Sequence, residues 1–468
     1  MTVTATALQD RDRIAALLQK HDKPGPRYTS YPTAVEFHTG VDAQVAENHL
    51  AAADAGEGPL SIYVHLPFCE KRCHFCGCHV IISPDKEPAS PYLGLLKREI
   101  ELIASRLPNR RQIAQLHLGG GTPTYFSPAQ LTDLLQHLFA HFEVIEGAEL
   151  AVEVDPRVTR PEHVDALADL GFNRMSLGVQ DFTRDVQEAI GRVQTIEQTA
   201  RIMEHARERG YRGLNVDLIY GLPHQTGRSF EATVDQAIAL GADRAAVYSF
   251  AYVPDGRGHQ NRIDLTALPD PQDKLGLFAI ARERFLAAGY VPIGMDHFAK
   301  PDDELGRARI AGTLRRNFQG YTVIPADDVL GLGISAIGDM RGAYLQNHKK
   351  LSRYTEAIDA GELPIYRGVE RTPEDELRRD AIHRLMCNFR VNLDAVARAH
   401  GHADHTVFSD ALERLRPLAD EGLVRLDAGS VEATPEGELF VRNLAMCFDT
   451  YYWAKYAEAK KSVFSRTV

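Results

Sequence analysis

The pattern of hydrophobic and polar positions divides most of the chain into short apolar runs and longer amphipathic runs. Seven apolar runs are predicted as strands, at 61–66, 115–118, 149–154, 174–179, 214–219, 245–250 and 291–295. Runs of helical period lie between them, including 92–106, 128–141, 195–209 and 271–288. Because strands that alternate with helices form parallel sheets, the pattern predicts an α/β fold of six or seven βα units. A closed or partial barrel suits this number better than a long flat sheet, and a doubly wound sheet is the alternative.

The regions outside these units have a different pattern. An extended segment, GPRYTSYPT, lies at 25–33, and helices are predicted at 373–388 and 409–421 before a hairpin-like GLVRLDAGSVEAT. We therefore predict four regions. They are an amino-terminal arm and helix (1–50), a barrel (51–300), a connecting segment that closes the barrel (301–365), and a mostly α-helical carboxyl-terminal domain with a small β-wing (366–468).

Charge and composition exclude several classes of protein. Helices followed by a β-wing are similar to winged-helix DNA-binding modules, but residues 401–468 hold eight Lys or Arg against eleven Asp or Glu. The 468 residues carry a net charge of −11, so binding to nucleic acid is not expected. The amino terminus lacks the apolar core of a signal peptide, and no stretch is long and apolar enough to cross a bilayer. We expect a cytoplasmic protein.

The cysteines give the first specific chemical signal. Four of the six fall within ten residues, namely Cys69, Cys73, Cys76 and Cys78. Clustered thiols in a long chain without a signal peptide indicate metal ligands or redox groups rather than disulfides. The Cys-x3-Cys-x2-Cys spacing supplies three thiolates, which suits a [4Fe-4S] cluster with one iron open to a chelating cofactor. Structural zinc is the alternative, with Cys78, His74 or His79 as a fourth ligand, although common zinc modules have other spacings.

Polar and glycine-rich sequences follow each predicted strand. In order they read PFCEKRCHFCGC, GGGTPT, EVDP, GVQDF, DLIYGLP and FAYVP. Sites on parallel α/β folds gather at the carboxyl ends of the strands, so these sequences are expected to meet at one end of the barrel. Each sequence alone is equally typical of a turn, and their recurrence after successive strands is what favours a common site.

The cysteine loop, preceded by YVHLPF and containing HFCGCH, resembles that of the radical S-adenosylmethionine family. The resemblance implies a partial (β/α)6 barrel with the cluster in the loop after the first strand. Further motifs point to one family within this superfamily. They are GGGTPTY, EVDP, GFNRMSLGVQDF, DLIYGLP, MDHFA, RNFQGYT, GLGISAI, CNFR, MCFDTY, the amino-terminal PRYTSYPTA and the terminal FSRTV. Together these motifs are similar to the oxygen-independent coproporphyrinogen III oxidases over nearly the whole chain.

This resemblance implies an oxidoreductase of haem and porphyrin biosynthesis. Members of this family oxidatively decarboxylate coproporphyrinogen III to protoporphyrinogen IX without molecular oxygen. A [4Fe-4S] cluster cleaves S-adenosylmethionine to a 5′-deoxyadenosyl radical, which abstracts hydrogen from two propionate side chains. Two S-adenosylmethionine molecules per chain, an electron donor of low potential, an electron acceptor and a monomeric state are also implied.

The resemblance assigns roles to particular residues. Cys69, Cys73 and Cys76 are the implied cluster ligands, and Cys78 and Tyr63 are the implied catalytic residues. The implied cofactor contacts are Tyr63, Phe75, Cys78, Gly120, Gly121, Thr122, Glu153, Gln180, Arg192, Asp217, Ala251 and Ile337. For the charged residues the alternative is an ordinary buried ion pair, and for Ala251 and Ile337 it is core packing. In one departure, Tyr252 occupies a position where the family more often has histidine.

Two other functions are compatible with parts of the pattern. A haem chaperone of the same superfamily shares the barrel and cluster motif, but it lacks the fourth cysteine and usually the long amino-terminal arm. A zinc protein with a binding role on an α/β barrel would share only the clustered thiols. The sequence leaves open which basic residues hold the substrate carboxylates. By resemblance, the arm at 27–34 is expected to close the site, with Arg27 meeting a propionate.

Overall fold

The computed structural model describes residues 11–254, 256–325, 328–458 and 463–467. They fold into two compact units. The barrel unit comprises residues 37–277 and 324–370, and the second unit comprises the described residues of 1–36, 278–323 and 371–468. Among the described residues, no helix has the length and apolar character needed to cross a membrane. The four sequence regions remain a prediction, since this division draws its boundaries differently.

The described residues form fifteen α-helices and nineteen β-strands, numbered here in chain order. The helices are α1 (Arg11–His21), α2 (Ala43–Asp54), α3 (Ala89–Arg106), α4 (Pro128–His141), α5 (Pro161–Asp169), α6 (Arg184–Ala189), α7 (Ile196–Glu208), α8 (Gly227–Ala239), α9 (Pro271–Ala287), α10 (Glu304–Ala311), α11 (Leu351–Asp359), α12 (Pro373–Asn388), α13 (Leu393–Ala399), α14 (Ser409–Asp420) and α15 (Val441–Met446). The strands are β1 (Leu60–Leu66), β2 (Phe68–Cys69), β3 (Ile81–Ile82), β4 (Gln112–Gly120), β5 (Glu143–Val154), β6 (Arg174–Gln180), β7 (Gly213–Tyr220), β8 (Arg244–Ser249), β9 (Val291–Ile293), β10 (His297–Ala299), β11 (Arg315–Arg316), β12 (Tyr321–Thr322), β13 (Val329–Leu332), β14 (Ile337–Met340), β15 (Ala343–Asn347), β16 (Ile365–Glu370), β17 (Arg390–Asn392), β18 (Val424–Asp427) and β19 (Ser430–Ala433).

The barrel unit is built on six parallel strands in the order β1-β4-β5-β6-β7-β8. These are the first six predicted strands, and the predicted partial barrel is confirmed. Most of their residues are buried, as expected for parallel strands covered on both faces. Beside β1 lies β13, which is also parallel to it, and β14, β15 and β16 continue from β13 as an antiparallel meander.

The helices that cover the sheet begin at positions where the sequence provides a cap. Ser127, Thr195 and Thr226 each cap the following helix, and the residue three positions later returns a hydrogen bond to the cap. This reciprocal bonding satisfies amide groups that the first helical turn leaves without partners. The caps define where these helices begin, and the parallel direction of the six strands places their carboxyl ends at one end of the unit.

The prediction of a seventh parallel strand at 291–295 is wrong. Residues of β9 pair antiparallel with β10, so that Ile293 lies opposite His297 and Val291 opposite Ala299. The two strands form a tight hairpin in the second unit rather than a further βα unit. A short apolar run carries no information on the direction of its partner strand, which is why the sequence pattern did not distinguish the two arrangements.

The second unit joins the amino-terminal arm to the carboxyl-terminal helices. The predicted β-wing is present as the antiparallel sheet β17-β19-β18. In the arm, the Tyr28 hydroxyl donates to Asp449 at 2.9 Å, and the Tyr31 and Thr450 hydroxyls lie 3.0 Å apart. Arg27 pairs with Asp296 at 2.5 Å. The arm is thus an ordered part of this unit.

Candidate active site

A cavity of about 380 Å³ lies in the barrel unit at the carboxyl ends of the parallel strands. All but three of the predicted site residues line it, namely Cys69, Cys73, Phe75, Cys76, Cys78, Gly120, Gly121, Thr122, Glu153, Gln180, Arg192 and Asp217. The structure therefore brings together side chains that are up to 148 residues apart, between Cys69 and Asp217. The three others are Tyr63, Ala251 and Ile337.

The cysteine loop is held at both ends by backbone pairing. Phe68 and Cys69 of β2 pair with β3, and the Phe68 ring is fully buried against Tyr125, with ring centroids 5.5 Å apart. The middle of the loop is fixed by His74, whose amide donates to Ile190 O at 2.9 Å and whose Nδ1 lies 3.0 Å from Ala189 O. These contacts hold the loop in the position where its cysteines line the cavity.

The three thiols suit a cluster better than a single zinc ion. The Cys-x3-Cys-x2-Cys spacing places Cys69, Cys73 and Cys76 on one loop at the cavity, which suits a cluster and differs from the spacings of common zinc modules. Of the three alternative zinc ligands, the two histidines have other contacts, since His74 contacts Ala189 O and His79 Nε2 lies 2.7 Å from Lys349 O.

The four thiols differ in their electrostatic surroundings. Burial raises the pKa of Cys69 to about 11. A hydrogen bond with Cys78 lowers the pKa of Cys76 to about 6 and raises that of Cys78 itself. The fourth cysteine thus lies beside the triad, within hydrogen-bond reach of one of its sulfur atoms.

Two arginines and one aspartate surround the Cys73 sulfur. Arg157 Nη2 and Arg192 Nη1 each lie 3.6 Å from Cys73 Sγ. Both also donate to Asp155 Oδ2, at 2.6 Å and 2.9 Å. Burial disfavours the Asp155 carboxylate, but Arg192 and Arg157 outweigh it and lower the pKa of that group. The buried Nε of Arg192 has no hydrogen-bond partner within the described part of the chain, so one donor remains for a ligand.

Arg192 makes hydrogen bonds within the protein in addition to its predicted contact with the cofactor. Its Nη2 also donates to Gly178 O at 2.6 Å. A side chain at Gly178 would crowd that contact, because a Cβ there would lie 3.0 Å from Arg192 Nη2. The guanidinium is therefore built into the cavity wall, where it neutralises Asp155 and faces a thiol.

The glycine loop after β4 brings backbone to the cavity wall. Gly120 has a φ of +110°, which only glycine adopts readily, and a Cβ at Gly121 would lie 2.6 Å from Phe68 O. The Gly120 amide donates to Glu153 at 3.2 Å, and His117 Nε2 lies 3.2 Å from the same carboxylate. Burial disfavours the Glu153 carboxylate, but these two contacts and charge outweigh it and lower its pKa.

Two further polar groups line the wall at β6 and β7. Asp217 accepts hydrogen bonds from the Ser176 hydroxyl at 3.0 Å and from Asn215 Nδ2 at 2.9 Å. Gln180, the last residue of β6, has a φ of +68°, a backbone strain that a side chain accepts only when its surroundings fix it. Both residues therefore present oxygen or amide groups to the cavity from rigid positions.

Tyr63, Ala251 and Ile337 lie outside the cavity lining. The Tyr63 hydroxyl is 3.0 Å from His65 Nδ1, and His65 Nε2 is 2.9 Å from His79 O. Because a carbonyl can only accept, Nε2 carries the proton and Tyr63 donates to Nδ1. Burial lowers the pKa of His65 to about 4, so this ring is neutral near pH 7. Ala251 is exposed and its carbonyl accepts from Gln260, and Ile337 is half-buried at the start of β14.

Four residues of the cavity wall were not predicted from the sequence. Asp155, Arg157, Ser176 and Tyr125 also line it. Asp155 belongs to the EVDP sequence at the end of β5, so its place at a strand end was a usable signal. Arg157 lies two residues beyond Asp155 and gave no comparable signal, because its pairing depends on how the following turn folds.

Two family patterns match parts of the chain. The pattern described as the Radical SAM superfamily matches residues 63–237, and the one described as the HemN C-terminal domain matches residues 372–440. The barrel with its three-cysteine loop thus defines a protein of the radical S-adenosylmethionine class.

Full-length relatives narrow this class. The chain is 43% identical over 439 residues to the oxygen-independent coproporphyrinogen III oxidase of Pseudomonas aeruginosa. This alignment covers 93% of this chain and 95% of that protein. Its identity to the Escherichia coli K12 protein of the same name is 42% over 462 residues, or 99% of this chain and 100% of that protein. The chain belongs to the family of oxygen-independent coproporphyrinogen III oxidases.

A solved structure of this family is similar throughout. The structure of coproporphyrinogen III oxidase (HemN) from Escherichia coli, described as a radical SAM enzyme, matches with a TM-score of 0.88 at 41% identity. The match covers 93% of this chain and 98% of that one. The α/β fold with a helical carboxyl-terminal region is therefore shared over both units.

Proposed function

We propose that the protein oxidatively decarboxylates coproporphyrinogen III to protoporphyrinogen IX without molecular oxygen, using a [4Fe-4S] cluster and S-adenosylmethionine. The observation that carries the proposal is one cavity in which three thiols meet glycine backbone, carboxylates and an arginine. The names of the full-length relatives support the substrate. A haem chaperone is not favoured, because Cys78 and the ordered arm are both present in this chain.

The proposed ligands of the cluster are Cys69, Cys73 and Cys76. Three thiolates leave one iron open, and the cluster and S-adenosylmethionine supply, when bound, the radical that removes hydrogen from a propionate. Arg157 and Arg192 place positive charge 3.6 Å from the Cys73 sulfur, which offsets the negative charge of thiolate ligands. Asp155 keeps these two cations in place.

The remaining wall residues bind and orient S-adenosylmethionine. Glu153 is ionised at neutral pH and suits the amino group of the methionine moiety, beside the Gly120 to Thr122 backbone. The carboxylate of Asp217 and the amide of Gln180 suit hydroxyl groups of the ribose. Arg192 Nε, which is buried without a partner among the described residues, suits the carboxylate. Phe75 of the wall, with Ala251 and Ile337 from outside the lining, would frame the adenine or shield the cluster.

Cys78 and Tyr63 are the proposed catalytic residues. Cys78 lines the cavity beside the triad, so its thiol is placed to contact the bound cofactor and substrate. Tyr63 does not line the cavity, and its hydroxyl donates to His65. A second S-adenosylmethionine, matching two decarboxylations, is part of the proposal, as are an external donor and acceptor of electrons and a monomeric state.

The substrate carries four carboxylates, whereas the chain has a net charge of −11. Local cations must therefore attract it. Lys71 and Arg72 line the cavity on the cysteine loop, and we assign them this role. The arm at 27–34 is proposed to close over the substrate and exclude water, which would protect a radical from quenching.

Anaerobic turnover tests the proposal. The protein with its iron is incubated with S-adenosylmethionine, a strong reductant and coproporphyrinogen III, and products are separated by chromatography. We expect protoporphyrinogen IX and 5′-deoxyadenosine, and neither product with Cys73→Ala. Tight binding of haem without any conversion of the porphyrinogen would instead favour the chaperone.

A further inference from the structure

A group of metal-ligating side chains lies on the outer helices of the barrel unit, apart from the cavity. It consists of Glu101 on α3 and His137 and His141 on α4. Each offers one ligand atom, and the three atoms all lie within 4.8 Å of one another. None of the three residues lines the cavity that holds the cysteines.

The packing of the two helices explains why these side chains meet. His137 and His141 are four residues apart, so they lie on the same face of α4. Along the same seam Gln130 donates to the Ser90 hydroxyl at 3.0 Å, and Lys97 pairs with Asp133 at 2.6 Å. Glu101 and His137 lie one helical turn beyond Lys97 and Asp133, and His141 ends the seam.

The distances match the requirements of a divalent transition metal. His137 Nε2 lies 3.3 Å from Glu101 Oε1, and the two imidazole ring centroids are 4.9 Å apart. Two ligands on tetrahedral zinc with bonds of about 2.0 to 2.1 Å are separated by roughly 3.3 Å. Glu101 is exposed and both histidines are half-buried, so a metal ion can reach the site from solvent.

We propose that Glu101, His137 and His141 form a binding site for a divalent transition metal of the zinc class, with a water molecule as fourth ligand. His137 Nε2 also lies 3.3 Å from Lys97 O, so metal binding moves the proton of this ring to Nδ1. The bound ion links α3, which follows the cysteine loop, to α4, which follows the glycine loop. Its effect is to stabilise the two helices against each other, independently of the proposed reaction.

Zinc binding to the iron-containing protein tests this site. Anaerobically purified protein is dialysed against a weak chelator, then equilibrated with Zn²⁺, and zinc and iron per chain are measured by elemental analysis. We expect one zinc per chain with iron unchanged, and a higher midpoint of thermal unfolding. His137→Gln, His141→Gln and Glu101→Gln should each weaken zinc binding at least about tenfold, because loss of an outer partner of a ligand already costs that much.

The control is His402→Gln, which changes an exposed histidine in the second unit and should bind zinc as the wild type does. Zinc binding that all three ligand variants retain would overturn the proposal. So would zinc that enters only as iron is lost, since such zinc occupies the cysteines. Because these readouts involve no turnover, their failure leaves the proposed reaction untouched.

Discussion

Replacing Glu153 by Gln should weaken the binding of S-adenosylmethionine while leaving the cluster in place. In the structure the carboxylate is partly exposed and faces the cavity, with contacts from the Gly120 amide and His117 Nε2, each at 3.2 Å. Gln keeps the shape and one accepting oxygen, so the glycine loop should hold its position. What is lost is the negative charge opposite the amino group of the cofactor.

The expected loss follows from the strength of a hydrogen bond to a charged group, about 1.5 to 3 kcal/mol. It corresponds to an affinity about tenfold to 150-fold lower. Equilibrium dialysis of labelled S-adenosylmethionine against the anaerobic, oxidised protein measures it without cleavage. Since the pKa of Glu153 is lowered, the wild-type affinity should not show a titration of this group between about pH 6 and 8.

Glu143→Gln is the matched control, because Glu143 is an exposed residue at the opposite end of the same strand. It should bind the cofactor as the wild type does, and both variants should keep the full iron content. Unchanged affinity in Glu153→Gln would refute the assignment and leave this carboxylate with a structural role in the glycine loop.

Three further predictions concern the ligands, the arginine and a buried carboxylate. Replacing any one cysteine of the triad, for example Cys76→Ala, should abolish the brown colour and the iron, whereas Cys78→Ser should keep the iron and impair turnover; loss of iron in the latter would make Cys78 a ligand. Arg192→Ala should lower cofactor affinity by about 1.5 to 3 kcal/mol, measured by the same dialysis, and unchanged affinity would return Arg192 to pairing with Asp155 alone. Burial raises the pKa of Glu99 to about 7, so its protonation stabilises the fold fully below the ordinary carboxyl pKa, and this contribution is lost as the pH rises toward 7. The denaturant concentration at the unfolding midpoint should therefore fall more in the wild type than in Glu99→Gln as the pH rises from the ordinary carboxyl pKa toward 7. The same dependence of the midpoint on pH in both proteins would contradict the raised pKa of Glu99.

The barrel and the cysteine loop could be predicted from sequence because their signals are local. Buried parallel strands appear as apolar runs, and the carboxyl-end rule places the loops that follow them at one site. The second unit was harder to predict. Its arm is held by Asp449, which lies more than 400 positions from Tyr28, and no periodicity links such distant segments.

Side-chain partners within the site were also beyond local patterns. Arg192 was expected as a contact for the cofactor, but the structure shows it already paired with Asp155 and Gly178 O. That arrangement depends on the turn after β5 and on a glycine that leaves room for the guanidinium. The arm gives a similar case, because Arg27 pairs with Asp296 in its own unit.

Transfer of deuterium from substrate to cofactor would show directly whether a deoxyadenosyl radical attacks the propionates. Coproporphyrinogen III carrying deuterium at the β-carbons of its propionates is converted anaerobically by the protein with reductant and S-adenosylmethionine, and the 5′-deoxyadenosine is analysed by mass spectrometry. We expect deoxyadenosine that carries deuterium and forms together with vinyl product. Deoxyadenosine without deuterium, formed while the porphyrinogen stays intact, would contradict it.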